Sequence, residues 1–279
     1  TRALRTYALN RRTFGRSLSD DRFALPFNRS VVRRADGFIV HSQWMRDKIL
    51  VERRASTPIA VIPHGADRLW HDDDRHSARE SLALPAGWLN SFLVVSFGSV
   101  QEHKRIEPLL RALALARRER KELRLVLAGD LACERLDLAA LVRELCLDDA
   151  VHCTGFLQGA RAEAYLHAAD LCVNLRGPTT GGASGGLFRA FALGRAAIVS
   201  GVCEQAELPD ACVRKLGPGP DEISRLAREL VRLHDDASLR ELLERGARSY
   251  VDEHCHWPLV ARRYAQALEA LPPQRSNRK

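Results

Sequence analysis

The sequence predicts an α/β protein whose main sheet is parallel and covered by helices on both faces. Short uninterrupted apolar runs alternate with helical stretches along most of the 279 residues. A run such as 92–97 lacks the polar alternation of a half-exposed strand, which is typical of strands buried on both faces. Such sheets bind ligands at the carboxyl ends of their strands, and the glycine-rich loops of this chain follow predicted strands.

Each element has its own signal in the sequence. Ser42 is a good N-cap for a helix that continues through Ile49. The segment 67–90, rich in Asp, His and Arg, is typical of a linker with a short helix. The predicted strands are 37–40, 58–62, 92–97, 124–128, 151–154, 171–175, 196–199 and 212–216. The predicted helices include 106–118, 136–147 and 160–169, together with most of the chain between the last strand and residue 271.

The stretch 171–194 is the most informative part of the sequence. An apolar strand leads into a loop with five glycines, and an apolar helical face closed by Gly194 follows. The free N–H groups and the dipole of a helix start attract anions, and glycine lets the backbone approach a ligand closely. The loop therefore predicts a binding site for the diphosphate of a nucleotide. Its glycines are Gly177, Gly181, Gly182, Gly185 and Gly186.

The same loop admits a second interpretation as a hydrolase site. Its glycine spacing does not match a dinucleotide fingerprint, and no Lys-Ser or Lys-Thr pair follows as in a P-loop. The segment 182–186 does match the G-x-S-x-G nucleophile elbow around Ser184. The eight residues between Leu175 and Ser184 are long for such an elbow, and in the diphosphate interpretation Ser184 is a helix cap that donates to phosphate. The acid and base candidates that follow are Asp210, Asp221, His234 and His254.

A second loop, 97–106, supports the diphosphate interpretation. Gly98 permits close approach, and Lys104 can supply a point charge to a phosphate. Basic residues such as Lys104 and Arg105 oppose the dipole when they begin a helix, so a bound anion would explain them. Arg176, at the end of the strand 171–175, is a further candidate donor.

Composition limits the classes of partner. The net charge is +8, and five lysines leave 38 arginines among the 43 basic residues. No aromatic ladder accompanies the arginine clusters, which argues against nucleic acid, whereas arginine-rich faces suit peripheral contact with an anionic membrane surface. No stretch is long and apolar enough to span a bilayer. The seven cysteines form no C-x-x-C pair, which favours free thiols in the cytoplasm.

Several segments together resemble the retaining GT-B glycosyltransferases of the family-four type, also called glycosyl transferases group 1. The matching pieces occur in the family's order and cover the chain from about residue 30 to its end. They are ADGFIVHS at 35–42, VIPHGAD at 61–67, SFGSVQEHKRI at 96–106, RLVLAGD at 124–130, TGF at 154–156, AAD at 168–170 and PTTGGASG at 178–185.

The resemblance implies two Rossmann-like domains that face each other across a cleft. Residues 1–66 would be the incomplete C-terminal part of the acceptor-side domain, 67–90 a linker, and 91–254 the nucleotide-sugar-binding domain. Residues 255–271 would form a terminal helix that crosses back, and 272–279 a disordered tail. The chain is therefore expected to be a fragment of a glycosyltransferase, which makes its activity in isolation doubtful.

The resemblance also implies roles for individual residues, although it assigns no catalytic residue. The donor-binding set would be Gly98, Ser99, Lys104, Phe156, Leu157, Arg176, Gly181, Gly182, Ser184 and Gly185, with His64 and Arg189 in the cleft. Lys104 would hold the diphosphate, the loop 181–185 would cradle it, and the backbone at Phe156 would meet the base. No metal or cofactor is expected, because Lys, Arg and backbone N–H groups would neutralise the diphosphate.

The chain departs from the family pattern at three positions. Gly182 and Arg189 stand where family members usually carry glutamates that contact the donor sugar and the ribose, and Ser99 replaces a common arginine. The diphosphate site would stay intact, while sugar selectivity or activity would change. The expected partners are a nucleotide-sugar donor and a glycan or lipid-linked acceptor. The alternatives are a non-catalytic GT-B scaffold and the serine hydrolase based on Ser184.

Overall fold

The computed structural model describes residues 32, 34–52, 57–69, 75–132, 136–177 and 182–271. The strands in this part are β1 (Phe38–Val40), β2 (Ile59–Val61), β3 (Phe92–Phe97), β4 (Leu123–Ala128), β5 (Val151–Cys153), β6 (Leu171–Asn174), β7 (Ala197–Ser200) and β8 (Arg214–Leu216). The helices are α1 (Gln43–Glu52), α2 (Arg75–Glu80), α3 (Ile106–Ala116), α4 (Leu138–Glu144), α5 (Gly159–His167), α6 (Gly185–Ala192), α7 (Cys203–Ala206), α8 (Glu222–Asp235), α9 (Ala237–Tyr250) and α10 (Trp257–Glu269). A 3-10 turn, Glu102–Lys104, precedes α3, and a π-helical turn, Val251–Cys255, precedes α10.

The six strands β3–β8 form one sheet in which all neighbours are parallel. Their order across the sheet is β5-β4-β3-β6-β7-β8. Chain order reverses between β3 and β6, as in a doubly wound Rossmann sheet. The predicted α/β class with a parallel sheet is therefore confirmed.

Helices cover both faces of this sheet. Val94 points into a core cluster that contains α3 and α8, whereas its neighbours Leu93 and Val95 point into a second cluster that contains α5 and α6. All three side chains are fully buried. Burial on both faces favours apolar residues in β3, which is why five of its six residues are apolar and the sixth, Ser96, is small.

The N-terminal part of the described chain forms a second, smaller parallel sheet from β1 and β2. Ala66, just after it, donates its N–H to Cys255 and forms a bridge with His256. A Cβ on Gly65 would lie 2.3 Å from the ring of Trp257, so glycine allows α10 to pack against the segment after β2. The start of the C-terminal helix thus packs against the segment that follows β2.

The short helix predicted between 67 and 90 is α2, and it is anchored by a buried arginine. The Arg79 side chain donates to the carbonyls of Ala168, Leu89 and Ser91 at 2.9–3.0 Å and pairs with Asp170. Asp170 also accepts from the Leu93 N–H at 2.6 Å. This network fixes α2 to the amino ends of β3 and β6.

The bounds of most predicted elements shift by one to three residues, and two differences have a local cause. The four-residue helix α7 was not predicted, because a single turn has no periodicity to detect. Strand β8 begins at Arg214 and not at 212, because the Cys212 N–H donates to Pro209 within a turn. Predictions for residues 1–31, for the loop residues 178–181 and for the tail 272–279 fall outside the described residues.

Candidate functional site

The loops after β3 and β6 meet at the carboxyl edge of the sheet, where chain order reverses. The first loop runs from Gly98 to Arg105 and the second from Leu175 to Ser184. Gly177 donates its N–H to the carbonyl of His103 at 2.9 Å, which ties the two loops together. In doubly wound sheets this position forms a crevice that binds ligands.

The first loop depends on glycine at two positions. Gly98 has a φ of +99°, in a region of backbone conformation that residues other than glycine rarely adopt. A Cβ on Gly129, after β4, would lie 2.5 Å from the carbonyl carbon and oxygen of Gly98. These glycines let the loop after β3 lie directly against the end of β4. The next residue, Ser99, has a buried hydroxyl with no hydrogen-bond partner.

Lys104 ends the 3-10 turn and points back to the end of β3. Its Nζ donates to the carbonyl of Phe97 at 2.8 Å, and it would lie 3.1 Å from a Cβ on Gly98. Burial, and then the positive charge of Arg176, lower the pKa of Lys104 from 10.5 to about 8. The predicted phosphate-binding lysine is therefore an ammonium group held close to a second cation. An anion between the two would relieve this repulsion.

Arg176 lies at the start of the second loop. Its N–H donates to the Ser200 hydroxyl at 2.8 Å, which fixes the loop to the end of β7. Its side-chain Nε is buried without a hydrogen-bond partner, and burial lowers the pKa of the guanidinium. Arg105 has a different role, because it adopts a φ of +53° and pairs with Glu222 at the start of α8. Arg176 is thus a cation with an unpartnered donor near Lys104, whereas Arg105 is structural.

The second loop ends at the N-terminus of α6. Ser184 is the N-cap, and its hydroxyl accepts from the Leu187 N–H at 3.4 Å. The N–H groups of Gly185 and Gly186, in the first turn, have no acceptor within the helix. Gly182 is exposed, and a Cβ there would meet no atom within 4 Å, so the backbone leaves room for a side chain. Gly181 lies outside the described residues.

The hydrolase interpretation of Ser184 is wrong. Ser184 is buried with a φ of −89°, so it lacks the strained, exposed geometry of a nucleophile elbow. His234 lies at the opposite edge of the sheet, where it pairs with Glu122 and packs on Phe92 at the start of β3. The remaining candidates contact other side chains: Asp210 pairs with Lys215, Asp221 with Arg225, and His254 with Glu253 and the ring of Tyr250.

A cavity of about 400 Å³ adjoins the N-terminus of α6. The two predicted cleft residues, His64 and Arg189, both line it. Arg189 is exposed, and its guanidinium lies 5.9 Å from the centre of the Phe97 ring. Sequence reasoning missed two other lining residues, Glu163 of α5 and Trp257 of α10. Neither belongs to a motif, and only the packing of α5 and α10 brings them to this cavity.

His64 is held in one orientation beside α6. Its Nδ1 lies 2.7 Å from the Gly65 carbonyl oxygen, and its ring stacks on Phe188 with centroids 5.0 Å apart. A carbonyl only accepts hydrogen bonds, so Nδ1 carries the hydrogen and Nε2 carries the lone pair in the neutral ring. Burial is the largest influence that lowers the pKa of His64.

The loop after β5 carries the two residues predicted near a base. Phe156 is 72% exposed, while Leu157 packs against the core cluster of α5 and α6. Gly155 has a φ of +70°, and the Thr154 hydroxyl accepts from the Gly129 N–H at 3.2 Å. The turn therefore presents an exposed aromatic ring beside the loops after β3 and β4.

The described residues lack the features of two other classes of site. They contain no group of three or more His, Cys, Asp or Glu side chains placed to hold a metal ion. None of their helices is long and apolar enough to cross a membrane. The six cysteines in the described ranges are all free thiols.

Comparison with solved structures shows which proteins share this fold. HepE of Anabaena, solved in complex with UDP and glucose, is 19% identical with a TM-score of 0.73, over 88% of this chain and 68% of HepE. Sucrose-phosphate synthase of Thermosynechococcus elongatus is 22% identical with a TM-score of 0.73, over 95% of this chain and 66% of the synthase. WaaG, a glycosyltransferase involved in lipopolysaccharide biosynthesis, is 18% identical with a TM-score of 0.67, over 85% of this chain and 62% of WaaG.

A search of curated protein sequences gives no match. Comparison with family models, in contrast, identifies the family of the chain. The model of the glycosyl transferases group 1 family matches residues 91–236, slightly more than half of the 279 residues. This match spans the sheet and both loops of the site. The chain therefore belongs to the glycosyl transferases group 1 family, with an α/β architecture of the GT-B type.

Proposed function

We propose that this glycosyltransferase uses a nucleoside-diphosphate sugar and binds its diphosphate between the loops after β3 and β6. One observation carries the proposal: two buried donors without partners and a buried ammonium group lie at this edge of the sheet. The Ser99 hydroxyl and the Arg176 Nε are buried without hydrogen-bond partners, and the Lys104 ammonium lies beside them. A buried donor without an acceptor is costly, so these groups fit a ligand rich in acceptor oxygens.

The chemistry of sugar transfer explains why such donors are needed. When the bond from the anomeric carbon to the diphosphate breaks, negative charge develops on the leaving oxygen. Lys104, Arg176 and the N–H groups at the start of α6 would stabilise that charge without a metal ion. The cavity beside Arg189 and Trp257 would accommodate the remainder of the donor. HepE, which shares the fold, has been solved with UDP and with UDP-glucose.

Calorimetry tests the diphosphate site directly. We expect UDP or GDP to bind, and Lys104→Ala to weaken binding at least tenfold, which corresponds to about 1.4 kcal/mol. Lys121→Ala is the matched control, because Lys121 is an exposed lysine. Absence of binding, or equal affinity of the Lys104 variant and the wild type, would contradict the proposal.

The acceptor and the stereochemistry belong to the proposal as well. By its resemblance to the family, the enzyme would transfer with retention to a glycan or lipid-linked saccharide. Incubating the full-length gene product with a panel of sugar nucleotides and acceptors, followed by NMR of the product anomer, tests both points. Cosedimentation with anionic liposomes tests peripheral membrane contact, which we expect to weaken as salt increases.

A non-catalytic scaffold is the second candidate function. The observation that favours it is the absence of carboxylates at Gly182 and Arg189, where the family usually has glutamates. Carboxylates accept hydrogen bonds from sugar hydroxyls, whereas glycine and arginine side chains do not. Product formation from any sugar nucleotide would exclude the scaffold, while tight nucleotide binding without turnover would favour it.

A further inference from the structure

His64 lies at the junction of the small sheet and the donor-binding unit. It follows β2, and its ring stacks on Phe188 of α6. Because Nδ1 is committed to the Gly65 carbonyl, Nε2 is the nitrogen available to a ligand. The imidazole is therefore oriented in advance, with one nitrogen anchored and the other exposed to the cavity side of α6.

Nε2 faces the first residue of α6. A Cβ built on Gly185 would lie 4.0 Å from Nε2, and no side chain stands between the two because the residue is glycine. The Gly185 N–H is also one of the groups that would bind the diphosphate under the proposed function. A phosphate oxygen bound at this helix start would therefore lie within reach of Nε2.

The charges around His64 favour the neutral ring while the site is empty. The His41 ring lies 5.7 Å away, and Arg189 on α6 adds a positive charge; both act with burial to lower the pKa of His64. The hydrogen bond to the Gly65 carbonyl acts in the opposite direction and raises the pKa of His64. Two carboxylates, Asp67 and Glu163, line the same cavity. The neighbour on α10, Trp257, carries no charge.

Binding of a diphosphate reverses this balance. Each phosphate of a nucleotide sugar carries a negative charge near neutral pH, and a nearby opposite charge favours the protonated imidazole. We propose that His64 takes up a proton from solvent when a nucleotide sugar binds and then donates a hydrogen bond from Nε2 to the diphosphate. His64 is thus a positioning residue that couples donor binding to pH, and the inference rests on the proposed function.

The sign of the pH dependence follows. Above the pKa that His64 has in the complex, the ring is neutral in both the free and the bound protein, and the affinity does not change with pH. As pH falls between that value and the lower pKa of the free protein, binding takes up a proton and affinity rises by up to tenfold per pH unit. At pH 6.5, Lys104, with a pKa of about 8, is already almost fully protonated and contributes little uptake.

Calorimetry of UDP-glucose binding at pH 6.5, in two buffers of different ionisation enthalpy, measures the proton uptake. The phosphates of UDP-glucose do not titrate in this range, so uptake belongs to the protein; GDP-mannose serves as the second probe. We expect uptake of about 0.3 to 1 proton per site in the wild type. His64→Asn keeps a donor for the Gly65 carbonyl and should abolish the uptake. His254→Asn is the matched control, because His254 does not line this cavity, and should retain it.

The outcomes separate the two proposals. Binding without proton uptake, or uptake that persists in His64→Asn, overturns the inference and leaves the proposed function standing. Absence of binding by either sugar nucleotide contradicts the proposed function, and the inference with it. If His64→Asn does not fold, NMR titration of the wild-type histidines decides: the pKa of His64 must rise by at least one unit when ligand binds.

Discussion

Replacing Lys104 with methionine should stabilise the ligand-free protein while it weakens nucleotide binding. The ammonium is buried at the end of β3, beside Arg176, and its pKa is lowered from 10.5 to about 8. That difference corresponds to roughly 3 kcal/mol by which the folded state disfavours the charged form. Methionine has a similar length and carries no charge, so it removes this penalty.

The expected change in stability combines two effects. Loss of the ammonium leaves the Phe97 carbonyl without its donor, which costs about 1 kcal/mol. The free energy of unfolding at pH 7 should therefore be about 1 to 2 kcal/mol higher in Lys104→Met than in the wild type. Because the folded pKa lies below the unfolded value, the wild type gains stability as pH rises from about 8 to 10.5. The advantage of the variant should shrink over that window.

Urea unfolding at pH 7 and at pH 9.5, with calorimetry of UDP and GDP, checks both effects. Binding should weaken at least tenfold, as for Lys104→Ala. Lys121→Met, at an exposed lysine, should change neither stability nor affinity. The reasoning is refuted if Lys104→Met is less stable than the wild type at pH 7, or if its advantage does not depend on pH.

Four further substitutions test the fold and the site. Gly129→Ala places a Cβ 2.5 Å from the backbone of Gly98 and should lower the free energy of unfolding by about 2 kcal/mol or more, whereas Gly182→Ala, in open space, should leave urea unfolding unchanged. Arg79→Met leaves three carbonyls without their buried donor and Asp170 without its positive partner, so thermal unfolding should reveal a loss of about 3 kcal/mol. Gly182→Glu supplies the carboxylate usual in the family and should strengthen UDP-glucose binding relative to UDP; equal effects on both ligands would argue against contact with the sugar.

The elements of the main sheet could be predicted because burial acts on both faces of each strand. Phe92–Phe97 was predicted to the residue, since five of its six residues are apolar and a glycine follows directly after it. The short helix α7 could not be predicted, because it is held by contacts distant in sequence. Its Gln205 donates to Asn174 on β6 and accepts from the Ser200 N–H.

The candidate site was predicted in part. Gly98, Lys104 and Arg176 were predicted as separate signals at the ends of strands, and the structure places them in neighbouring loops. The triad around Ser184 shows the opposite case, because His234 has the right order in sequence and lies at the wrong edge of the sheet. Order along the chain does not specify which edge a loop occupies.

The sequence by itself determined that this chain forms a parallel sheet with helices on both faces, because only apolar residues tolerate burial from two sides. It also determined where backbone can approach a ligand, since glycine lacks the Cβ that would intervene. Tertiary structure alone decided which loops meet. The side-by-side pairing of β3 with β6 brings Lys104 to Arg176, residues far apart in sequence, and thereby concentrates positive charge at one edge of the sheet. Such pairings depend on packing across the whole core, which no local pattern encodes.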